Sequence, residues 1–296
     1  MHMEPFDYRR PSSLRELEGL LTRHAGQCHL LAGGTDLLVL VKEKLVSPRL
    51  VLDVGDLPEL QGILPAPDGG LTILAGTKVA AIEASALVRE RAPALAYAAA
   101  QLGSAQVRHM ATMGGNCCHG SPSAETPPVL LAHAAEVTLA REGGERRLPM
   151  DKFWLSYRKT ALEPGEYLKS FHLPALPARG AVSYRFQGLR RAMEIDMVNA
   201  GCYLELDAKG KKAAAVRIAL GAVGPIPYRA VGAEAALAEG VVGPAFFEEA
   251  GRLAAEEARP IDDVRASAAH RRRLVAVLVK RALAACAEEL SGRKVR

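Results

Sequence analysis

The spacing of apolar residues in the first part of the chain predicts a small α/β unit. A capping-box pattern, Ser13 with Glu16, precedes an amphipathic stripe of leucines and predicts the first helix. Short apolar runs at 28–31 and 50–53 predict strands, with a second helix between them. We expect this unit to cover residues 1–62.

The middle of the chain has a different order of strand-like and helical segments, and it predicts a second unit over residues 63–177. A turn-rich segment at 65–70 leads into an apolar run at 71–75, which is typical of a strand. A β-hairpin is predicted over 137–148 and a further strand over 167–173, with helical segments before the hairpin.

The last part of the chain, residues 178–296, predicts a separate domain. Strand-like runs at 183–187, 201–206 and 214–222 come first, and three alanine-rich helical segments follow them. Strands followed by helices are typical of an α+β domain.

Two glycine-rich segments interrupt these elements, Leu-Ala-Gly-Gly-Thr-Asp at 31–36 and Thr-Met-Gly-Gly-Asn at 112–116. Paired glycines let the main chain approach a ligand closely, and their free N–H groups can form an anion site. Together the segments predict a clamp on two phosphates, with the N–H groups of Gly114 and Gly115 facing one of them. The spacing alone leaves two structural turns as an equal alternative, because neither the Rossmann nor the Walker pattern is present. Asp36 is also a candidate cap for a helix over 37–44.

Composition changes this picture little. The 296 residues are 49% hydrophobic and 24% charged, which is ordinary for a globular protein. No apolar run approaches eighteen residues, so no membrane span is expected, and the N-terminus lacks the pattern of a signal peptide. Five cysteines at irregular spacing favour a reducing, cytoplasmic location.

The formal charge of +5 is concentrated near the C-terminus, where Arg271, Arg272 and Arg273 are consecutive. A nucleic-acid patch is one interpretation of this run. No aromatic residues alternate with the arginines, which favours a solvated helix face or a protein contact instead. We therefore expect no nucleic-acid partner.

Five motifs, in order along nearly the whole chain, are shared with one family. They are LAGGTDL at 31–37, QVRHMATMGGN at 106–116, SPSAE at 121–125, RRAMEI at 190–195 and IDDVRAS at 261–267. With these motifs the chain resembles the FAD-binding medium subunit of molybdenum hydroxylases, the group that includes xanthine dehydrogenase and carbon monoxide dehydrogenase.

The resemblance implies an α+β protein: a two-subdomain FAD-binding fold of the vanillyl-alcohol-oxidase (PCMH) type, followed by a C-terminal α+β domain of a sheet with helices. It implies FAD as the cofactor. The residues that it implies for FAD binding are Leu31, Ala32, Gly33, Gly34, Thr35, Asp36, Thr112, Gly114, Gly115, Asn116, Ser121, Glu125, Arg191 and Glu194. Within this set, the two glycine segments would hold the diphosphate and Ser121 with Glu125 the ribityl or diphosphate region. Arg191 and Glu194 would lie near the isoalloxazine or adenine side.

The chain departs from the family pattern in three respects. Glu125 and Glu194 stand where the family usually has Asp, and Asp196 replaces a small residue. The scattered cysteines do not supply the four-thiolate spacing of an iron–sulfur cluster found in some members.

Several reactive side chains near these motifs have ordinary structural interpretations. For Cys117-Cys118-His119 we expect packing behind the flavin segment, with a reactive thiol as the alternative, because adjacent cysteines bind one tetrahedral ion poorly. His109 and His133 are expected to be hydrogen-bonded structural residues. We expect neither a metal site nor a catalytic side chain.

The resemblance also implies partners. A small 2Fe–2S subunit and a large molybdopterin-binding subunit would form a heterotrimer, or its dimer, with this chain. FAD would carry electrons from the iron–sulfur clusters to NAD, oxygen or another acceptor. Two alternatives stay open: a free-standing flavin oxidoreductase of the same fold, and a structural subunit that has lost its flavin.

Overall fold

The computed structural model describes residues 4–190 and 192–292, which form three sheets surrounded by helices. Two further short strands, at 154–156 and 159–160, pair with each other and lie in the sequence between strands of the second sheet. The mixed content of helix and strand confirms the expected α+β class. No helix among these residues has both the length and the apolar composition needed to cross a bilayer.

The N-terminal sheet is parallel and has the strand order β1-β3-β2. Its elements are β1 (Asp7–Arg9), α1 (Leu14–Arg23), β2 (Cys28–Leu31), α2 (Leu37–Lys42) and β3 (Leu50–Asp53). The predicted helices and strands are confirmed, although α2 is shorter than expected. At the start of α1, the Ser13 hydroxyl accepts a hydrogen bond from the Glu16 N–H at 3.3 Å. Asp36 precedes α2 but its side chain does not cap the helix, so that prediction is wrong.

The second sheet is antiparallel, with the order β4-β5-β10-β6-β7. Its unit consists of β4 (Ile63–Pro65), β5 (Leu71–Leu74), α3 (Val79–Ala84), α4 (Ala86–Arg91), α5 (Pro93–Gln101), α6 (Ala105–Met110), α7 (Met113–Cys118), α8 (Thr126–Ala132), β6 (Glu136–Arg141), β7 (Gly144–Pro149), β8 (Trp154–Ser156), β9 (Lys159–Thr160) and β10 (Tyr167–Leu173). The predicted hairpin and final strand are confirmed as β6–β7 and β10. The second glycine segment was expected to be a loop, but Gly114 and Gly115 lie in the first turn of α7.

The C-terminal sheet is also antiparallel, in the order β11-β12-β13-β14. Its domain consists of β11 (Gly180–Gln187), β12 (Val198–Leu206), β13 (Ala213–Gly221), β14 (Tyr228–Arg229), α9 (Val231–Ala236), α10 (Pro244–Glu257) and α11 (Ala268–Gly292). Strands therefore precede helices, as predicted.

Both faces of the C-terminal sheet are buried. On β12, Cys202 and Leu204 pack into the core formed with α10 and α11, whereas Tyr203 packs into the core of the second unit. This follows from the strand period, because successive side chains point to opposite faces. A Cβ built on Gly201 would lie 2.3 Å from the main-chain oxygen of Pro128, so β12 lies directly against α8. The C-terminal domain is thus packed firmly on the second unit.

A buried arginine joins the segments next to this junction. Arg271, at the start of α11, donates to the main-chain oxygens of Met197 at 2.6 Å and Ala222 at 3.1 Å. Its guanidinium also pairs with Asp263 at 2.7 Å. The arginine run that suggested a nucleic-acid patch therefore begins with a residue that is 1% exposed and structural.

We predict that Arg271→Met lowers the free energy of unfolding by about 3 kcal/mol, because it leaves two buried carbonyl oxygens without this donor and removes one of the two arginines that pair with Asp263. Arg273→Met is the matched control, since Arg273 is exposed on the same helix. Chemical denaturation of the two variants measures the difference. Equal stability would contradict the role assigned to Arg271.

Candidate functional site

The two glycine segments meet. A Cβ built on Gly33 would lie 2.1 Å from the main-chain oxygen of Met110 and 2.9 Å from the Cα of Ala111. These residues immediately precede Thr112, the first residue of the second segment. Real Cβ atoms do not approach a carbonyl oxygen so closely, so only glycine fits at position 33. The first segment is therefore in main-chain contact with the two residues that lead into the second segment, some eighty residues later in the chain.

The first segment presents unpaired main-chain amides. None of the N–H groups of residues 33–36 has a hydrogen-bond partner among the residues that the structure describes. Gly34 has a φ of +73°, a conformation that favours glycine. Consecutive free N–H groups at such a bend can bind an anion, which agrees with the predicted phosphate site.

The second segment contributes differently from the prediction. The Gly114 N–H donates to the main-chain oxygen of Ala75 at 2.8 Å, and the Gly115 N–H donates to the Thr112 hydroxyl at 3.0 Å. The prediction that these two amides are free for a phosphate is therefore wrong. Gly115 is nevertheless exposed, and a Cβ built on it would contact only the Thr112 hydroxyl within 4 Å. Its open surface is available to a ligand that passes over α7.

The side chains at the ends of the two segments are also close. Asp36 Oδ1 lies 3.7 Å from Nε2 of His119, which follows α7. Asn116 Oδ1 accepts a hydrogen bond of 2.6 Å from the Thr126 hydroxyl. The Ser121 hydroxyl accepts one of 3.2 Å from the N–H of Ser123.

The remaining predicted residues of the first segment are structural neighbours of the contact. Leu31 ends β2, and its side chain lies 3.1 Å from a Cβ built on Gly34. The main-chain oxygen of Ala32 lies 2.7 Å from a Cβ built on Gly55. The Thr35 hydroxyl has no hydrogen-bond partner among the described residues. Arg191 lies outside the described residues.

Two buried carboxyl groups lie where the second unit meets the C-terminal domain. Burial, and then the neighbouring charge of Asp196, raise the pKa of Glu125 to about 8. Burial raises the pKa of Asp196 to about 6, against hydrogen bonds from Asn199 and Tyr184 that favour its charged form. These two donors lie 2.8 and 3.0 Å from Asp196 Oδ2. Glu125 is therefore mostly protonated at neutral pH and can donate a hydrogen bond, which an ionised Asp or Glu cannot do.

Glu194 and Asp196 have separate roles in the structure. Glu194 pairs with Arg190 at 3.3 Å and accepts from the N–H of Ile195. Asp196 was singled out as an unusual residue near the flavin, and the structure shows its carboxylate tied to Tyr184 and to Asn199. Asn199 in turn donates to the main-chain oxygen of Ala124, so this network spans the domain junction.

Lys78 is a residue near the contact that sequence reasoning missed. It precedes α3, forms an isolated β-bridge with Thr112, and donates from its ammonium to the main-chain oxygen of Met110 at 3.2 Å. A single lysine before a short helix carries no sequence signal of binding. Only the fold brings it to the glycine contact.

The cysteines and histidines are largely structural, as expected. Cys117 is fully buried and its main-chain oxygen accepts from the Trp154 indole at 2.9 Å. Burial raises the pKa of the Cys118 thiol to about 12, which makes it a poor nucleophile. His109 bonds the main-chain oxygen of Ala105 at 2.7 Å. The expectation for His133 is wrong, because neither of its buried nitrogens has a partner among the described residues.

Two known families match most of this chain. Residues 4–176 match the family described as the FAD binding domain in molybdopterin dehydrogenase, and residues 183–286 match the CO dehydrogenase flavoprotein C-terminal domain. The chain belongs to the family of FAD-binding medium subunits of molybdenum hydroxylases. FAD is accordingly the cofactor of this medium subunit.

Individual relatives cover almost the whole medium subunit. The carbon monoxide dehydrogenase medium chain of Hydrogenophaga pseudoflava is 33% identical over 94% of this chain and 96% of its own length. A putative xanthine dehydrogenase FAD-binding subunit of Escherichia coli is 29% identical over 97% of each chain. A crystal structure of carbon monoxide dehydrogenase from Hydrogenophaga pseudoflava superposes with a TM-score of 0.91, at 30% identity over 99% of both chains. The two-subdomain FAD-binding fold with its C-terminal domain is thereby confirmed.

We predict that Gly115→Val weakens FAD binding at least tenfold without lowering the stability of the flavin-free medium subunit. The added side chain would project over the exposed surface of α7, where a Cβ would lie 3.0 Å from the Thr112 hydroxyl and within 4 Å of no other residue distant in the chain. Gly144→Val is the matched control, since a Cβ on Gly144, in β7, would have no atom within 4 Å. Flavin fluorescence titration and thermal unfolding separate the two effects. Unchanged FAD affinity would exclude α7 from the binding surface.

We also predict that the stability of the flavin-free medium subunit falls as the pH rises from about 5 to 9. Glu125 and Asp196 have a higher pKa in the folded chain than in the unfolded chain, so the folded state holds protons more tightly and loses that advantage as they ionise. Glu125→Gln should reduce the slope of stability against pH by roughly half, because Asp196 still titrates. The exposed Glu142→Gln is the control, and an unchanged slope in Glu125→Gln would refute the assignment.

Proposed function

We propose that this medium subunit is the electron-transfer flavoprotein of a molybdenum-containing hydroxylase or dehydrogenase. Its partners would be a small subunit with 2Fe–2S clusters and a large subunit with molybdopterin, in a heterotrimer or its dimer. The relatives named above support the multi-subunit assembly, since their names describe them as the medium chain or FAD-binding subunit of such enzymes. NAD, oxygen or another carrier would be the final acceptor.

One observation carries the proposal: the main-chain contact between the two glycine segments, with free amides on one side of it. Those amides would hold the FAD diphosphate, and the Thr35 hydroxyl would add a donor beside them. The surface of Gly115 would lie against the cofactor, with Thr112 and Asn116 holding the first turn of α7 in shape. In this arrangement the first segment would bind the diphosphate through its amides and the second would provide a surface, in place of the symmetric clamp predicted from the sequence.

The residues beyond the contact fit other parts of the cofactor. A protonated Glu125 would donate a hydrogen bond to a ribityl hydroxyl or phosphate oxygen, and Ser121 would lie beside it. Glu194, and Arg191 outside the described residues, would approach the isoalloxazine or adenine side. The ring system of bound FAD supplies a carrier that exchanges electrons with metal clusters and soluble acceptors. The chain itself binds and orients that carrier and shields it from water.

The other redox centres would lie on the partner subunits. Among the described residues, no group of three or more His, Cys, Asp or Glu side chains is arranged to hold a metal ion. A carbon-centred substrate would then be oxidised at the large subunit. The proposal gives the medium subunit no catalytic side chain.

We predict that the native complex, purified with the Gly115→Val medium subunit, still reduces its iron–sulfur clusters with substrate but transfers few electrons to the final acceptor. Bleaching of the cluster absorbance measures electron transfer from the substrate to the clusters. Turnover of the acceptor measures electron transfer through FAD. The complex with Gly144→Val should perform both.

Two results would favour the alternatives. A native preparation without an iron–sulfur or molybdenum partner, in which the isolated chain oxidises a small substrate, would support a free-standing oxidoreductase. A colourless protein that cannot be reconstituted with FAD would support a structural subunit.

A further inference from the structure

The ammonium of Lys78 lies at the contact between the two glycine segments. It donates to the main-chain oxygen of Met110 at 3.2 Å, and a Cβ built on Gly33 would lie 2.1 Å from that same oxygen. Lys78 and the unpaired amides that begin at Gly33 are therefore neighbours on either side of one carbonyl group. The β-bridge between Lys78 and Thr112 holds the backbone of the lysine beside the second segment.

This ammonium is incompletely satisfied by the protein. It has three N–H donors, and Met110 is its one hydrogen-bond partner among the described residues. Lys78 is half-buried, and burial lowers its pKa, whereas the charge of Asp53 acts in the opposite direction. Asp53 is not within ion-pair distance of Lys78. Its carboxylate instead accepts from the Tyr8 hydroxyl and from the Gly55 N–H. Withdrawing a cation from water without a partner is unfavourable, so the site gains from an anion.

The other charges nearby do not replace it. His119 lies against Asp36, and Arg10 pairs with Asp56. Glu125 and Asp36 are carboxylic acids, so neither can balance the negative charge of two phosphates. A cation at Lys78 therefore supplies what neutral amides alone do not, a full charge opposite the diphosphate.

We propose that Lys78 is a further FAD-binding residue, whose ammonium binds the cofactor's diphosphate where the two glycine segments touch. The inference rests on the proposed FAD site and adds a charged side chain to it.

Lys78→Met, in the assembly in which the chain is purified, should raise the dissociation constant for FAD about tenfold to a hundredfold, as expected for loss of a charge-assisted hydrogen bond. Lys78→Arg should retain more of the affinity than Lys78→Met, because the charge is kept. Lys209→Met is the control, with the same change of net charge at an exposed turn of the C-terminal domain. The thermal midpoint of the flavin-free protein should not fall in Lys78→Met.

Competition by ADP tests which part of the cofactor is bound. ADP carries the diphosphate without the flavin. Its inhibition constant, measured in competition with FAD, should therefore be at least tenfold higher for Lys78→Met than for the parent protein. Equal FAD affinity in Lys78→Met and Lys209→Met would overturn the inference and leave the proposed FAD site standing. Loss of FAD together with an equal loss of flavin-free stability would make Lys78 a structural residue. A parent protein that does not bind FAD would overturn both.

Discussion

The candidate site depends on one main-chain contact, that of Gly33 against the carbonyl oxygen of Met110. The contact joins the segment that follows β2 of the N-terminal unit to the end of α6 in the second unit. Because a side chain at position 33 would overlap this oxygen, the approach requires glycine. It places the free amides of residues 33–36, the first turn of α7 and the Lys78 ammonium around one point.

A second junction, between the second unit and the C-terminal domain, lies beside this site, since the charges of Asp196 and Asp36 both act on the pKa of Glu125. The C-terminal sheet is buried on both faces, and Gly201 allows β12 to lie directly on α8. The Asp196, Asn199 and Tyr184 network crosses this junction, and Glu125 lies beside it. Burial of two carboxyl groups is unfavourable when both are charged, so the junction retains a proton at neutral pH. The same burial gives Glu125 its donor character close to the expected cofactor.

Most elements were predictable because their signals are local. The Ser13 cap of α1, the apolar strands at 28–31 and 50–53, and the hairpin of β6 and β7 depend on neighbouring residues, and the structure confirms them. The Glu16 carboxylate of the predicted capping box instead accepts from Ser12. The errors arose where a local pattern has two solutions. Paired glycines are compatible with a loop or with the first turn of a helix, and Thr112 decides for the helix by accepting the Gly115 N–H. Asp36 is a good cap by type, yet its carboxylate lies near His119 instead of capping α2.

The sequence by itself determined the family, the α+β class, the order of the longer strands and helices and FAD as the cofactor, because motif identity and apolar periodicity are properties of the chain alone. The tertiary structure decided which amides are free and which are already bonded, since a hydrogen-bond partner such as Ala75, just after β5, is distant in the chain. It also decided the protonation of Glu125 and the place of Lys78. Both depend on burial and on neighbours that only folding brings together.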